Sequence, residues 1–151
     1  MKTNKYQLSD KIQIFIICFS VGLIIFLYGI YRCNNKKFTD PLIKGKNICR
    51  VCDLWSISHF VFNFILGYIY PAQGYFIFGL GLFWEGLEYL IQHEYFNNFP
   101  IIKYIINMSK CKNTHILSDK KQHWVYYEIT DIPMNIAGLL SGIYFSKKYR
   151  K

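Results

Sequence analysis

Acidic residues are scarce in this chain. Its 151 residues include nine Asp and Glu against 18 Lys and Arg, which gives a net charge of +9, and only four prolines. Such a positive balance can indicate nucleic-acid binding, but the cations here lie between apolar runs and form neither one face nor one tail. We therefore expect no nucleic-acid partner, and we interpret the cations as membrane flanks that hold anionic lipid headgroups.

Recognisable catalytic and metal-binding motifs are also missing. The sequence has no GxSxG, HExxH, Walker A or paired CxxC motif. The lone CxxC, Cys49 to Cys52, has no second pair and is interpreted as incidental rather than as a metal or redox site. His93, His115 and His123 show no metal-ligand spacing and are interpreted as surface residues. Motifs therefore identify no catalytic residue, cofactor or metal.

Long runs without charge fill much of the sequence instead. The first, Ile12 to Tyr31, has twenty residues, and it would form about 30 Å of helix, the thickness of a bilayer core. The second, Leu54 to Trp84, has thirty-one residues and is too long for one span. Pro71 to Gly74 divides this run with a tight turn, which predicts a helix over 54–70 and an antiparallel partner over 75–92.

A last helix is expected over 130–146. Thr130 or Asp131 is placed to cap its start, and Pro133 falls in its first turn, where a missing N–H does no harm. Fifteen uncharged residues follow Asp131. The predicted fold is thus all-α, a polytopic membrane helical bundle formed by the single domain 1–151, with a central helical hairpin and about four transmembrane helices: 12–31, 54–70, 75–92 and 130–146.

The connections predict the orientation. Loop 93–129 contains an apolar stretch, 100–108, that is too short for a span and predicts an interfacial helix. Four spans would place loops 32–53 and 93–129 on one side and both termini on the other. The two loops carry eleven Lys and Arg and the terminal segments carry seven, so the positive-inside rule predicts cytoplasmic loops.

Polar and small residues recur at helical spacing in three of the predicted spans. They are Ser56, His59, Asn63 and Gly67; Gly81, Glu85, Glu88 and Gln92; and Asp131, Asn135, Gly138 and Gly142. Uncompensated polar groups are costly in hydrocarbon, so each stripe should face the bundle interior. Together they predict one intramembrane pocket, whose ligand-binding candidates are His59, Asn63, Glu85, Glu88, Asp131 and Asn135.

Two interpretations of these polar residues stay open. An imidazole, three carboxylates and amides can bind a cation, exchange protons or hold a polar headgroup. The same side chains can also simply fasten helices by hydrogen bonds, with Asp131 acting only as a cap. Glu85 and Glu88 favour a site, because carboxylates one turn apart repel each other unless a proton, cation or basic group lies between them.

Three segments together resemble the VanZ-like membrane proteins. They are Asp53 with His59, Trp84-Glu85-Gly-Leu-Glu88-Tyr-Leu-Ile-Gln92, and Asp131-Ile-Pro-Met-Asn135-Ile-Ala-Gly138-Leu-Leu-Ser-Gly142. The resemblance covers about residues 53–146, and its last segment is the most specific. It implies a small four-helix bundle with a shared polar pocket and, in some members, a link to glycopeptide resistance or envelope physiology. It implies no particular reaction.

We therefore expect a VanZ-like integral membrane protein whose polar pocket binds a polar or phosphate-bearing lipid-like ligand. Its surroundings would be the lipid bilayer, and self-association into a homo-oligomer is among the expected partnerships. The alternative is a non-catalytic structural or assembly protein whose polar helix faces serve only packing or partner binding. Whether the chain catalyses a reaction is left undecided by its sequence.

Overall fold

The computed structural model describes residues 3–34, 54–93, 98–109 and 129–149, and the regular elements in these ranges are all helical. They are α1 (Thr3–Asn34), α2 (Leu54–Ile69), a 3₁₀ turn (Pro71–Gln73), α3 (Gly74–Gln92), α4 (Pro100–Ser109) and α5 (Asp131–Tyr149). The predicted all-α class is confirmed for this part of the chain. Helices lie at each of the segments expected to be helical.

Among the described residues, α1 is the one helix that is long and apolar enough to cross a membrane by itself. Its apolar part, Leu8–Arg32, is 25 residues long and includes the predicted span 12–31. Only 11% of the residues in its most apolar 18-residue stretch are buried inside the protein. Side chains such as Phe19 and Ile24 are 66% and 65% exposed. α2 and α3 meet the same criterion only when they are taken together across the break between them.

The chain changes direction between α2 and α3 at Tyr70. This residue has φ −121° and ψ 59°, outside the helical region, although its N–H still donates to Leu66 O at 2.8 Å. Pro71 then begins the 3₁₀ turn, because its ring removes the N–H that a continued α2 would need. The two axes bend by 112°, so the antiparallel hairpin predicted here is wrong in its angle. A three-residue turn that leads directly into α3 reverses the chain only in part.

α1 runs antiparallel to α2. Near one end of the pair, Tyr70 Oη donates to Gln13 Oε1 at 2.9 Å, and near the other the rings of Tyr28 and Trp55 lie 6.1 Å apart. α4, which lies where the interfacial helix was predicted, packs beside α1 and α3. The long first helix thus touches the other elements at several points along its length, while most of its surface stays uncovered.

α5 packs mainly against α2, and the two helices run parallel. Gly138 faces the backbone of Phe60, and Gly142, one turn later, faces the backbone of Phe64, one turn after Phe60. A Cβ added at either glycine would lie 2.2 Å from the facing carbonyl oxygen. The GxxxG pair therefore serves close packing between α2 and α5 of the same chain.

The core contains one buried hydrophobic residue from each of the four long helices: Ile14, Leu66, Ile77 and Leu139. Around them the usual pattern of burial is reversed. The described residues include eight buried polar or charged side chains against these four, while 24 large hydrophobic side chains are exposed. The polar stripes lie inside the bundle, and its outer surface is largely apolar.

Candidate functional site

The buried polar side chains come from three helices and meet near the start of α2 and α5. Turns of about 3.6 residues place residues at i, i+3 or i+4 and i+7 on one helix face. The residues that meet are Ser56, His59 and Asn63 of α2, Glu85 of α3, and Asp131 and Asn135 of α5. Because α2 and α5 are parallel and in close contact, their two polar stripes face each other. α3 adds the carboxylate of Glu85 to this α2–α5 contact, which we call the seam.

Ser56 and Asp131 form the first contact across this seam. Ser56 Oγ donates to Asp131 Oδ1 at 2.6 Å, and its oxygen also lies 3.5 Å from Thr130 Oγ1. Ser56 is 0% exposed and Asp131 is 5% exposed. A hydrogen bond to a charged acceptor is short and strong in such a buried place. This bond therefore holds the Asp131 carboxylate in position at the start of α5.

Asn135 is the hub of the hydrogen-bond network. Its Nδ2 donates to Glu85 Oε1 at 2.8 Å, and its Oδ1 accepts from Asn63 Nδ2 at 2.6 Å. The same Oδ1 lies 3.2 Å from His59 Nδ1. Asn63 Nδ2 also donates to the backbone oxygen of His59 at 3.0 Å. One amide side chain of α5 thus ties α2 and α3 together.

His59 lies between two carboxylates. Its Nδ1 is 3.3 Å from Glu85 Oε1, and its Nε2 is 4.0 Å from Asp131 Oδ2. One ligand-type atom from each of these three residues lies within 4.8 Å of the others. The His59 side chain is 16% exposed, whereas that of Glu85 is 2% exposed. The imidazole is therefore the most accessible member of this group, which we call the His–Glu–Asp centre.

Glu85 carries an unused acceptor. While Oε1 faces Asn135 and His59, its Oε2 is buried and has no hydrogen-bond partner among the described residues. Leaving a buried charged oxygen unsatisfied is costly, and native structures do so rarely. The arrangement favours an occupant that supplies a positive charge or a hydrogen-bond donor to this oxygen.

A small cavity adjoins the Asn135 hub, with room for about one water molecule. It is lined by Asn63, Phe78, Gly81, Leu82, Ile132, Asn135 and Leu139. An ion or a water fits this space as it stands. A whole lipid headgroup does not fit it, and the residues that line it do not include His59, Glu85 or Asp131.

The structure brings five of the six sequence candidates together: His59, Asn63, Glu85, Asp131 and Asn135. Glu88 is half-buried on the same face of α3 and offers no ligand atom to the His–Glu–Asp centre, although it interacts electrostatically with all three of its residues. Ser56 was not among the candidates although it belongs to the same stripe as His59 and Asn63. Its spacing, three residues before His59, was the signal that could have identified it.

Other residues considered from the sequence lie elsewhere. His93 ends α3, is exposed, and has its ring 4.5 Å from that of Tyr89, in agreement with a surface role. Cys18 is a free, half-buried thiol of α1. Five further residues lie outside the described residues: Cys49, Cys52, Asp53, His115 and His123.

Comparison with protein-family models, with curated proteins and with solved structures finds no match for this chain.

Proposed function

We propose that this chain is a multi-pass integral membrane protein of the VanZ-like kind whose intramembrane polar centre binds a polar or phosphate-bearing lipid-like ligand. The observation that carries the proposal is the buried Glu85 carboxylate, one oxygen of which has no partner among the described residues. The centre serves to recognise a ligand, and this proposal assigns it no reaction.

The reversed pattern of burial supports the membrane part of the proposal. In water, a surface with many large exposed apolar side chains around a polar interior is unfavourable, whereas in a bilayer both features are expected. The direction of the helices also supports it, because α2 is antiparallel to α1 and parallel to α5, as alternating spans require. Four spans then comprise α1, α2, α3 and α5.

The 112° bend between α2 and α3 allows a second topology in which the pair crosses the bilayer once as a broken helix. Helices of 16 and 19 residues rise about 24 and 28 Å, so each nearly matches the bilayer core by itself. If α2 and α3 each cross the membrane, or if together they form a re-entrant loop, the segments before α2 and after α3 lie on the same side of the membrane. We propose this same-side arrangement, with those segments cytoplasmic.

The chemistry of the centre restricts the ligand. Glu85 Oε2 and the carboxylate of Asp131 are acceptors, so the centre favours hydroxyl, ammonium or metal-bound groups over a bare phosphate, which the carboxylates would repel. A phosphate-bearing ligand therefore needs a cation to join it to the centre. The exposed edge of His59 is the side from which such a ligand approaches.

Native mass spectrometry of the protein extracted from its membrane, combined with elemental analysis of the same sample, tests this function. We expect the wild-type protein to retain a lipid that the Glu85→Gln variant has lost while still folded, with or without an ion beside it. Asp10→Asn removes a carboxylate from α1 near the opposite end of α2 and serves as the charge-matched control, which should keep the occupant.

The alternative is a structural or assembly protein in which the polar network only joins helices. The hydrogen bonds that join Asn135 to Asn63 and Glu85 and the close α2–α5 packing are the observations in its favour. It predicts that wild-type and Glu85→Gln proteins are both without an occupant and that the variant changes only stability or oligomeric state. That outcome would replace our proposal.

A further inference from the structure

We propose that His59, Glu85 and Asp131 bind one divalent transition-metal ion, of which Zn²⁺ is the test case. The metal site deepens the proposed function. Only the identity of the lipid-like ligand that the ion would hold rests on that proposed function. The site is built from three residues that are far apart in sequence and come from three different helices. Each offers one ligand atom, and the three atoms lie within 4.8 Å of one another.

The spacing matches what a small cation requires. With metal–nitrogen and metal–oxygen bonds of about 2.1 Å, two ligand atoms at a tetrahedral ion lie about 3.4 Å apart. His59 Nε2 and Asp131 Oδ2 are 4.0 Å apart, which is too long for a hydrogen bond and about 0.6 Å wider than the metal-bound separation. A small movement of the His59 and Asp131 side chains towards each other would bring both atoms to bonding distance from one ion.

The hydrogen bonds around the centre select the metal-facing atoms. His59 Nδ1 faces the acceptor Asn135 Oδ1 at 3.2 Å; if it donates there, the lone pair of the imidazole is on Nε2, towards Asp131. Ser56 occupies Asp131 Oδ1, and Asn135 occupies Glu85 Oε1. Metal ligands in proteins are commonly held by such partners, which fix the tautomer of a histidine and the direction of a carboxylate.

Glu85 supplies an independent observation. It is 2% exposed, and its Oε2 has no partner among the described residues, while the same carboxylate lies 3.3 Å from the imidazole through Oε1. An anion this deeply buried requires a counter-charge. A divalent ion neutralises both carboxylates of the centre and leaves the imidazole neutral, as metal coordination requires.

The ligand set also indicates the class of ion and its use. One imidazole and two carboxylates suit zinc or manganese better than soft ions such as Cu(I), which prefer thiolates. Three protein ligands leave at least one coordination position open at a zinc ion. A phosphate or hydroxyl oxygen of a lipid-like ligand would bind in that position, which explains how an acidic centre can hold an anionic headgroup.

The test uses the tag-free full chain in detergent, in which Cys49→Ser and Cys52→Ser remove the CxxC as a competing site. The protein is stripped with EDTA, incubated with Zn²⁺, desalted and measured for zinc. We expect one zinc ion per chain, and the Glu85→Gln variant should bind Zn²⁺ on the order of 100-fold more weakly or not at all. Ser56→Ala, which removes the hydroxyl that donates to Asp131 Oδ1, should weaken binding about 10–100-fold.

Asp10→Asn is again the matched control and should bind zinc as the wild type does. Helix content measured by circular dichroism and a single elution peak establish that each variant folds. If Glu85→Gln does not fold, measurements on the wild-type chain alone test the inference. Zn²⁺ must then raise its melting temperature, and bound Co²⁺ must give visible absorption bands typical of nitrogen and oxygen ligands. A wild-type chain without zinc, or a folded Glu85→Gln variant that keeps it, overturns the inference.

Lipid retained by the same samples separates this inference from the proposed function. Zinc without any retained lipid supports the metal site and contradicts the lipid-binding function. Lipid that is retained in EDTA-treated, zinc-free protein supports the lipid-binding function and overturns the inference that the ion holds the headgroup. Lipid that is lost when EDTA removes the zinc supports both.

Discussion

Replacing Gly138 by alanine tests the packing of α5 on α2, on which the whole centre depends. The added Cβ would lie 2.2 Å from Phe60 O, 2.9 Å from Phe60 C and 3.0 Å from its Cα. These are backbone atoms, which cannot rotate away as a side chain can. The two helices must therefore separate locally, and overpacking of this kind costs about 1–3 kcal/mol.

The opposing effect is the helix propensity of alanine, which favours the variant by about 1 kcal/mol at most in the absence of a clash. Gly86→Ala isolates this effect, because a Cβ at Gly86 of α3 meets nothing within 4 Å. We expect Gly86→Ala to be neutral or slightly stabilising. Relative to Gly86→Ala, we expect Gly138→Ala to lower the melting temperature by roughly 2–12 °C, at about 2–4 °C per kcal/mol for a chain of this size.

Thermal unfolding of both purified variants, followed by circular dichroism in one detergent, is the assay. The α2–α5 geometry would be refuted by a Gly138→Ala protein that melts at the temperature of Gly86→Ala. A destabilised but folded Gly138→Ala should also weaken Zn²⁺ binding, since separating the helices moves Asp131 away from His59.

Two further predictions concern the centre and the topology. Ser56→Ala removes the 2.6 Å hydrogen bond to Asp131 and should lower the free energy of unfolding, measured by urea titration, by about 0.6–3 kcal/mol. The control is Ser58→Ala, at an exposed serine in the same turn, which should change this free energy by no more than about 0.5 kcal/mol. Equal effects of the two substitutions would contradict the hydrogen-bond network. Chains that keep only Cys49 or only Cys111 should both react with a membrane-impermeant thiol reagent from the cytoplasmic face of sealed vesicles, whereas labelling from opposite faces would mean that α2 and α3 form one broken span.

The positions of the helices were predictable because their signals are local, although α1 (Thr3–Asn34) and α5 (Asp131–Tyr149) extend beyond the predicted spans 12–31 and 130–146. A run without charge, a proline after the run, and cations beyond its end act over a few residues, so they can be read without knowledge of the partner helices. The break at Pro71 is an example: the ring prevents α2 from continuing, whatever surrounds it. The angle of 112° at that break was not predictable, since it depends on how α3 packs against the other helices.

The polar stripes were also visible in the sequence, because helical periodicity alone assigns residues to a face. Spacing alone treats Glu85 and Glu88 as equals, one turn apart on α3, and it places Ser56 in the polar stripe of α2 without showing which acceptor its hydroxyl meets. Only the tertiary structure decided that Glu85 reaches Asn135 and His59 while Glu88 stays outside the convergent group. The physical reason is that the close, parallel approach of α2 and α5 through Gly138 and Gly142 determines where their two polar stripes meet and which carboxylate of α3 can form a hydrogen bond there.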